Sequence, residues 1–159
     1  MQNLSILSFN VRGLRDPQKR KEMFMWLRKK EHSIFLLQQV HGTEDIEKLW
    51  YAEWGYTVIF SHGTNDARGV SILFKNNFDH KIHGIIKDES GRYIILDITI
   101  QEKRITLANI YGSNTDSPEI YSKFIEQIEN IDNDNRIIGG DHNFVLNVYK
   151  DKKRGKSGN

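Results

Sequence analysis

Strand-like and helix-like segments follow one another along this 159-residue chain in an order that restricts its fold. Leu4 to Asn10 and Ile34 to Gln38 are apolar runs typical of buried strands, and a helical pattern separates them. From Thr57 to Ile110 the chain consists of short strand-like runs joined by turns, and a helix and a further strand follow. The order is therefore β-α-β-α, a run of antiparallel-looking strands, and α-β. It predicts a two-sheet mixed α/β sandwich flanked by helices.

Two of the predicted helices begin with the same signal, a capping residue followed by proline. Asp16-Pro17 and Ser117-Pro118 each place an N-cap side chain before a first-turn proline. In the first helix, Met23, Phe24 and Leu27 share one face, and we expect its Lys and Arg residues on the opposite, solvated face. A shorter helix is predicted from Asp45 to Tyr51.

Composition sets outer limits on the kind of protein. A hydrophobic content of 38% over this length is enough for one domain with a proper core. The formal net charge of +2 does not by itself imply a nucleic-acid partner. There are no cysteines, which excludes a disulfide framework and a thiolate zinc site. Neither a signal peptide nor a run as long as a membrane span is visible, so we expect a soluble intracellular protein without a membrane partner.

The stretch from Arg136 to Asn147, RIIGGDHNFVLN, contains the clearest candidate for chemistry. Glycine tolerates unusual backbone angles, so Gly139-Gly140 can end a buried strand abruptly. Asp141 and Asn143 would then lie on the same side of the chain, an acid beside an amide that can donate to a phosphate oxygen. On spacing alone, a strand followed by an ordinary polar turn explains the stretch equally well.

Similar polar groups follow three other predicted strands. The carboxyl ends of neighbouring strands form the usual binding sites of α/β sheets, so the recurrence is stronger evidence than any one cluster. The groups are Asn10, Gln39 with His41, the set Asn109, Tyr111, Ser113 and Asn114, and Asp141 with Asn143.

Six motifs, in this order, resemble the endonuclease domain of LINE-type (non-long-terminal-repeat) retrotransposons. They are SFNVRGL, LLQxxH, FSHGT followed by RGVSILF, GRYIILDI, LANIYGSN and GGDHN, and the likeness extends from Leu4 to about Asn147. These domains belong to the endonuclease/exonuclease/phosphatase superfamily. The resemblance implies two packed mixed sheets flanked by helices and Mg²⁺-dependent hydrolysis of a phosphodiester bond in DNA.

The resemblance also implies a role for individual residues. Asn10 would help to organise the metal site, and Asp141 would orient or deprotonate the attacking water. Tyr111 and Asn143 would contact the scissile phosphate. For Arg12 a phosphate contact and a solvated loop position are equally reasonable, and Asn114 is a further candidate for substrate binding.

The chain departs from the family pattern at the position of the principal metal ligand. The family motif is Gln-Glu-Thr-His, whereas this chain has Gln38-Gln39-Val40-His41. Gln39 offers a carbonyl oxygen at the metal position without the negative charge that holds Mg²⁺. The nearest acids, Glu44 and Asp45, come several residues later. We therefore expect weakened Mg²⁺ binding and weak or absent cleavage.

Two further departures concern the end of the chain. The family's late Ser-Asp-His motif does not occur before Asn159. We expect a domain over residues 1–149 that is truncated at its C-terminal end, with an unpaired strand edge or exposed apolar face, and a basic flexible tail over 150–159. A C-terminal continuation of the polypeptide would be a partner. His142 stands where the family has Phe, and a packing role is favoured over a metal-binding or acid-base role.

These observations predict an impaired retrotransposon-type endonuclease domain, which would be nuclear if it acts on chromosomal DNA. One alternative is a non-catalytic protein, decayed or repurposed, that keeps the fold and residual DNA binding. Another is a phosphatase of the superfamily that acts on a small phosphorylated substrate.

Overall fold

The computed structural model describes residues 4–75, 79–112 and 118–141. Three helices and eight strands occur in these residues, in the order predicted from the sequence. The elements are β1 (Ile6–Asn10), α1 (Pro17–Lys29), β2 (Ile34–Gln38), α2 (Glu44–Trp54), β3 (Val58–Ser61), β4 (Val70–Phe74), β5 (His80–Lys87), β6 (Tyr93–Ile100), β7 (Lys103–Tyr111), α3 (Pro118–Glu129) and β8 (Arg136–Asp141).

The strands form two four-stranded sheets, with the orders β1-β2-β4-β3 and β5-β6-β7-β8. Strands β1 and β2 are parallel, as are β7 and β8, and every other pairing is antiparallel. Each parallel pair is connected through a helix, which gives a first βαβ unit (β1-α1-β2) and a second βαβ unit (β7-α3-β8). The predicted two-sheet mixed α/β sandwich is confirmed.

Branched and apolar side chains fill three layers. Between the sheets, isoleucine and leucine dominate, and the fully buried ones include Ile34, Leu36, Ile72, Ile94, Leu96, Ile98 and Leu107. Helices α1 and α2 cover the outer face of the first sheet with Phe24, Leu27, Trp50 and Trp54. Helix α3 covers the outer face of the second sheet with Tyr121, Phe124 and Ile128. Each sheet is therefore packed against the other sheet on one face and covered by helices on the other, except at β5, which has no buried residue.

Helix α1 begins as predicted but carries one charged residue differently. The Asp16 side chain accepts a hydrogen bond from the Lys19 backbone nitrogen at 2.9 Å, as an N-cap should. The expectation that all basic residues of this helix lie on its solvated face is wrong for Arg20, which is 1% exposed. Position 20 falls four and seven residues before Phe24 and Leu27, so helical geometry places all three on the buried face.

Strand β8 differs from the expected buried strand that ends at a glycine pair. It continues through Gly139 and Gly140 to Asp141, and its residues are half-buried up to the exposed Asp141. Within the described ranges it pairs only with β7, just as β1 pairs only with β2. The two strands are edges of their sheets there, as β3 and β5 are at the other sides, and residues of β1 and β8 are mostly half-buried.

The two glycines of β8 serve separate purposes. A Cβ atom on Gly139 would lie 2.6 Å from Leu36 Cδ1 in the first sheet, so the missing side chain lets the two sheets approach closely. Gly140 has a φ of 137°, and a Cβ atom there would collide with the Ile110 carbonyl oxygen of β7. Gly139 thus serves the packing of the two sheets, whereas Gly140 serves the backbone path that leads to Asp141.

Some expectations concern membrane spans and the ends of elements. In the described part of the chain, no helix is long and apolar enough to cross a membrane. The domain boundary at residue 149, the tail over 150–159 and the cap at Ser117 lie outside the described residues, so they stay predictions.

Candidate active site

The carboxyl ends of both parallel strand pairs meet at one end of the sandwich. In the first unit Asn10 is in register with Gln38, and in the second unit Tyr111 is in register with Asp141. The two ends are joined directly, because Asn10 Nδ2 donates a hydrogen bond to Asp141 Oδ2 at 2.9 Å. The site therefore lies across the gap between the sheets, where strand-end groups of both can act on one ligand.

Asn10 is the centre of this contact. Its Nδ2 also donates to Gln39 Oε1 at 2.8 Å, and its Oδ1 accepts from the Arg12 backbone nitrogen at 2.9 Å. We call Asn10, Gln39 and Asp141 the Asn10 cluster. It combines one carboxylate with two neutral amides, and the residues come from three different segments of the chain.

The backbone around Gln39 adopts a conformation that side-chain-bearing residues seldom take. Gln39 has a φ of 53°, and Arg12, His41 and Arg68 in the adjoining loops have values between 52° and 59°. Each left-handed residue other than glycine costs on the order of 1 kcal/mol or more, and such residues concentrate at functional sites. In this conformation the Gln39 side chain accepts the hydrogen bond from Asn10.

Backbone hydrogen bonds between the loops keep these conformations in place. Gly13 N donates to Gln39 O at 2.6 Å, and Leu14 N donates to Val40 O at 3.0 Å. On the other side, His41 N donates to Arg68 O at 2.9 Å. The loop after β2 is thus fixed from both sides, so its strained residues are held by their surroundings rather than by local preference.

Two of the nearby basic side chains stabilise loops and one does not. Lys19 Nζ donates to the carbonyl oxygens of Val11 and Arg12 at 3.0 and 3.1 Å. Arg15 forms an ion pair with Asp45 at 3.2 Å. Arg12 is exposed, and within residues 4–75, 79–112 and 118–141 its guanidinium group has no hydrogen bond or ion pair. Arg12 is consequently the basic group of this loop that is ready to meet a ligand.

His41 is half-buried behind this loop. Burial lowers the pKa of its imidazole, and the positive charges of Lys19 and Arg15 act in the same direction, whereas Asp66 opposes them. The lowered pKa favours the neutral ring at physiological pH, so His41 adds no fixed positive charge to the site.

A polar layer lies directly beneath the Asn10 cluster, inside the core. Asn109 was grouped with the strand-end residues from its position in the sequence, but it is fully buried between the sheets. Its Oδ1 accepts from Gln38 Nε2 at 2.9 Å, and its Nδ2 donates to the carbonyl oxygens of Leu37 and Ser71. An Asn inside a run of strand residues was the sequence signal, because an amide there needs partners from another element.

The structure places five of the predicted site residues. Asn10, Gln39 and Asp141 are in contact, Tyr111 lies beside Asp141 in the register of β7 and β8, and Arg12 is at the rim. Asn114, Asn143 and His142 lie outside the described residues, and their roles stay predictions.

The described donor atoms do not fit a hard divalent cation. Such an ion prefers several carboxylate or carbonyl oxygens, but the Asn10 cluster offers Asp141 as its one carboxylate. The amide oxygens of Asn10 and Gln39 both accept hydrogen bonds already. Across the three described ranges, no group of three or more His, Asp or Glu side chains is arranged to hold a metal ion.

Comparisons with known proteins bear on the same segment. A family model described as the endonuclease/exonuclease/phosphatase family matches residues 7–146. A 149 kDa protein of transposon TX1 from Xenopus laevis, itself uncharacterized, is 33% identical over 150 residues. That alignment covers 91% of this chain but 11% of the Xenopus protein, so the chain corresponds to a small part of its relative.

Solved structures share the fold at low sequence identity. The endonuclease domain of TRAS1, a telomere-specific non-LTR retrotransposon, matches with a TM-score of 0.59 and 18% identity, covering 86% of this chain and 59% of that chain. TDP2 from D. rerio, in complex with a single-strand DNA product, matches with a TM-score of 0.63 and 17% identity, covering 92% of this chain and 64% of that chain.

Proposed function

The chain belongs to the endonuclease/exonuclease/phosphatase family, and we propose that it is a DNA phosphodiesterase domain of the retrotransposon endonuclease type whose cleavage step is impaired. The similarity to a transposon protein and to the TRAS1 endonuclease domain bears out the predicted family resemblance. Cleavage, its impairment and DNA binding are our own inferences from the site.

The observation that carries the proposal is the contact between the two sheets at the Asn10 cluster. Asn10 Nδ2 holds both Gln39 and Asp141 at hydrogen-bonding distance, 2.8 and 2.9 Å. Residues from separate chain segments converge at the strand ends, which is the arrangement of a binding or catalytic site in α/β proteins.

Asp141 is the residue suited to move a proton. It is exposed, and Asn10 donates a hydrogen bond to its Oδ2, which orients the carboxylate. An oriented carboxylate at this position can accept a proton from a water molecule that attacks phosphorus. Asn10 is a positioning residue in this scheme, because it acts through Asp141.

Tyr111 and Arg12 are suited to bind the phosphodiester. Tyr111 is half-buried beside Asp141, and Arg12 presents an exposed guanidinium group at the rim. Hydrogen-bond donors and positive charge around a phosphate stabilise the charge that develops in the transition state. Asn143 and Asn114 would add donors to the same phosphate, and Arg12 would lie along the DNA backbone.

Gln39 is the reason to expect impairment. Nucleases of this family generally use divalent metal ions, and the neutral amide at this position supplies no charge to hold one. Asn10 and Gln39 would hold Mg²⁺ only weakly, because their amide oxygens already accept hydrogen bonds. A loss of 10² to 10⁴ in rate corresponds to roughly 3–5 kcal/mol of transition-state stabilisation.

The decisive experiment compares the unmodified chain with Gln39→Glu on supercoiled plasmid with Mg²⁺. We expect little nicking by the unmodified chain and a 10²- to 10⁴-fold increase in Gln39→Glu. Gln101→Glu is the matched control, because it adds the same charge at another left-handed residue (φ 50°) in the β6–β7 turn, at the opposite end of β7 from Tyr111. It should leave the rate unchanged.

Three outcomes of this assay would change the proposal. Nicking by the unmodified chain that disappears in Asp141→Ala would contradict the impairment. A Gln39→Glu variant that still cuts nothing would show that Gln39 is not the limiting defect. Hydrolysis of a small phosphate ester without DNA binding or cutting would favour the phosphatase alternative.

Non-catalytic DNA binding is a second candidate, favoured by the poor metal-binding donor set. It predicts retention of DNA without cutting, with an affinity that falls steeply as salt increases. The Arg12→Ala variant should weaken that retention. A nuclear location follows from either candidate if the DNA is chromosomal.

The edges of the two sheets suggest how a longer polypeptide would be accommodated. Strands β1 and β8 each have one unpaired side within the described residues, and the chain spans 59% and 64% of the two solved proteins compared above. We propose that a C-terminal continuation of the polypeptide adds to these edges and supplies the late Ser-Asp-His motif.

A further inference from the structure

We propose that Asn109 is a positioning residue that fixes the two halves of the site relative to each other. The inference rests on the proposed function only in taking the Asn10 cluster as the working site. Asn109 belongs to the second sheet, and among the described residues its side chain forms its three hydrogen bonds with the first sheet.

The contacts of Asn109 reach two neighbouring strands at once. Gln38 Nε2 donates to Asn109 Oδ1 at 2.9 Å, and Asn109 Nδ2 donates to Leu37 O at 3.0 Å and to Ser71 O at 2.9 Å. Leu37 and Ser71 are directly paired in the β2–β4 ladder. The buried side-chain amide of Asn109 therefore binds a pair of neighbouring residues, one on β2 and one on β4, from across the core.

The hydrogen bonds of Asn109 lie next to the Asn10 cluster, on the side of the protein core. Asn109 is in register with Gly139, two residues before the Tyr111–Asp141 pair. On the facing sheet, Gln38 is in register with Asn10 and directly precedes Gln39 in the chain. Asn109 thus connects the strand that adjoins Asp141 with the strand that leads to Gln39.

Apolar packing alone would not fix this relation. The remaining core between the sheets is largely isoleucine and leucine, whose attraction is non-directional. Hydrogen bonds depend steeply on distance and angle, so three of them define how one sheet sits on the other. The 2.9 Å contact of Asn10 with Asp141 spans the same gap and tolerates only a small displacement.

The test follows the side-chain amide signals of Asn10 by NMR in the full chain, without DNA or a cleavage assay. The signals are assigned by their absence in Asn10→Ser, and Asp141→Ala should shift them, which shows that they report the contact. In Asn109→Leu we expect them to move toward the positions of a solvent-exposed amide. In the matched control, Leu107→Ala, a cavity opens on the same strand and face, and the signals should stay in place.

A double variant separates the effect of Asn109 on the position of Asn10 from its effect on the stability of the protein. Replacing both partners of a buried hydrogen bond by apolar groups can restore stability. Gln38→Leu with Asn109→Leu should therefore unfold at a higher temperature than Asn109→Leu alone, yet keep the displaced Asn10 signals. The double variant carries the test if Asn109→Leu does not fold.

Either of two results would overturn the inference. One is a folded Asn109→Leu or double variant with native Asn10 signals. The other is loss of those signals in Leu107→Ala, which would mean that any weakening of the core disturbs the site. Because the NMR measurement needs neither substrate nor metal, failure of the plasmid assay would leave its outcome unaffected.

Discussion

The two βαβ units have the same succession of elements, but they are held together by different means. In the first unit, charged side chains connect the helix to the loop that follows β1. In the second unit, neutral contacts and glycine geometry set the position of β8. The two halves of the site, Asn10 with Gln39 and Tyr111 with Asp141, therefore differ in what keeps them in place.

Arg20 is the main connection in the first unit. Its guanidinium group forms a two-point ion pair with Glu53 of α2, at 2.6 and 2.9 Å. The same group donates to the carbonyl oxygens of Leu14 and Arg15 at 3.0 and 3.1 Å. One buried cation thus joins both cover helices to the loop that contains Arg12.

In the second unit, helix α3 is connected to its sheet by a neutral hydrogen bond and apolar packing. The Tyr93 hydroxyl donates to Gln127 Oε1 of α3 at 2.6 Å, and Tyr121, Phe124 and Ile128 of α3 pack on the sheet. At the end of β8, Gly112 N donates to Asp141 O at 2.9 Å. The Gln39 side of the site is thus fixed by its own loops, whereas Asp141 depends on close approach of the sheets.

The largest effect is expected from removing the connection of the first unit. Arg20→Met leaves two loop carbonyls without their donor and removes the ion pair with Glu53, whose own side chain is 35% exposed. Each unsatisfied buried carbonyl costs roughly 1–3 kcal/mol, so we expect a total loss of about 3–4 kcal/mol. Urea denaturation measures the free energy of unfolding. Lys21→Met is the control, because its side chain is exposed. A loss as small as that of the control would mean that apolar packing alone holds the two helices.

In the second unit, we expect substitution of a glycine of β8 to cause the largest loss of stability. Gly140→Ala forces a Cβ atom against the Ile110 carbonyl oxygen at a φ of 137°, and we expect a loss of roughly 2–3 kcal/mol in the free energy of unfolding.

The neighbouring glycine supplies the matched comparison for that substitution. In Gly139→Ala the new atom meets the flexible end of Leu36, so a loss of about 1 kcal/mol is expected. Thermal unfolding compares the two variants. Equal losses would contradict the separate purposes assigned to the two glycines.

The smallest effect concerns the hydroxyl of Tyr93 at alkaline pH. Burial, and to a lesser degree the charge of Asp88, raises the pKa of Tyr93 to about 12 from its ordinary value of 10.0. A pKa raised by folding stabilises the folded state below pH 10, and that contribution is lost as the pH rises from 10 to 12. The loss at pH 11 is about 1 kcal/mol.

Comparison with Tyr93→Phe isolates this contribution from the other groups that titrate in the same range. The difference in unfolding free energy between the two proteins should narrow above pH 10. A constant difference from pH 9 to pH 12 would show that folding does not raise this pKa.

The sequence predicted the order of elements and the strand ends well, because periodicity and capping are local signals. Asp16-Pro17 began a helix as expected, and Asn10, Gln39 and Asp141 came to one end of the sandwich. The assignment of strands to two sheets depends on long-range pairing, which no local pattern encodes.

The buried positions of Arg20 and Asn109 were missed for a related reason. Each is a polar residue whose partners are distant in sequence, Glu53 for Arg20 and Gln38 for Asn109. Arg20 could have been found from its helical spacing to Phe24 and Leu27, but its partner could not.

The left-handed backbone at Gln39 has a consequence for how easily this site could change over generations. Glutamine and glutamate have nearly the same shape, and their codons differ only at the first base. The unusual turn is maintained by main-chain bonds from the flanking loops, which do not depend on the side chain at position 39. A single point mutation could therefore return an acid to this position without rebuilding the surrounding loops.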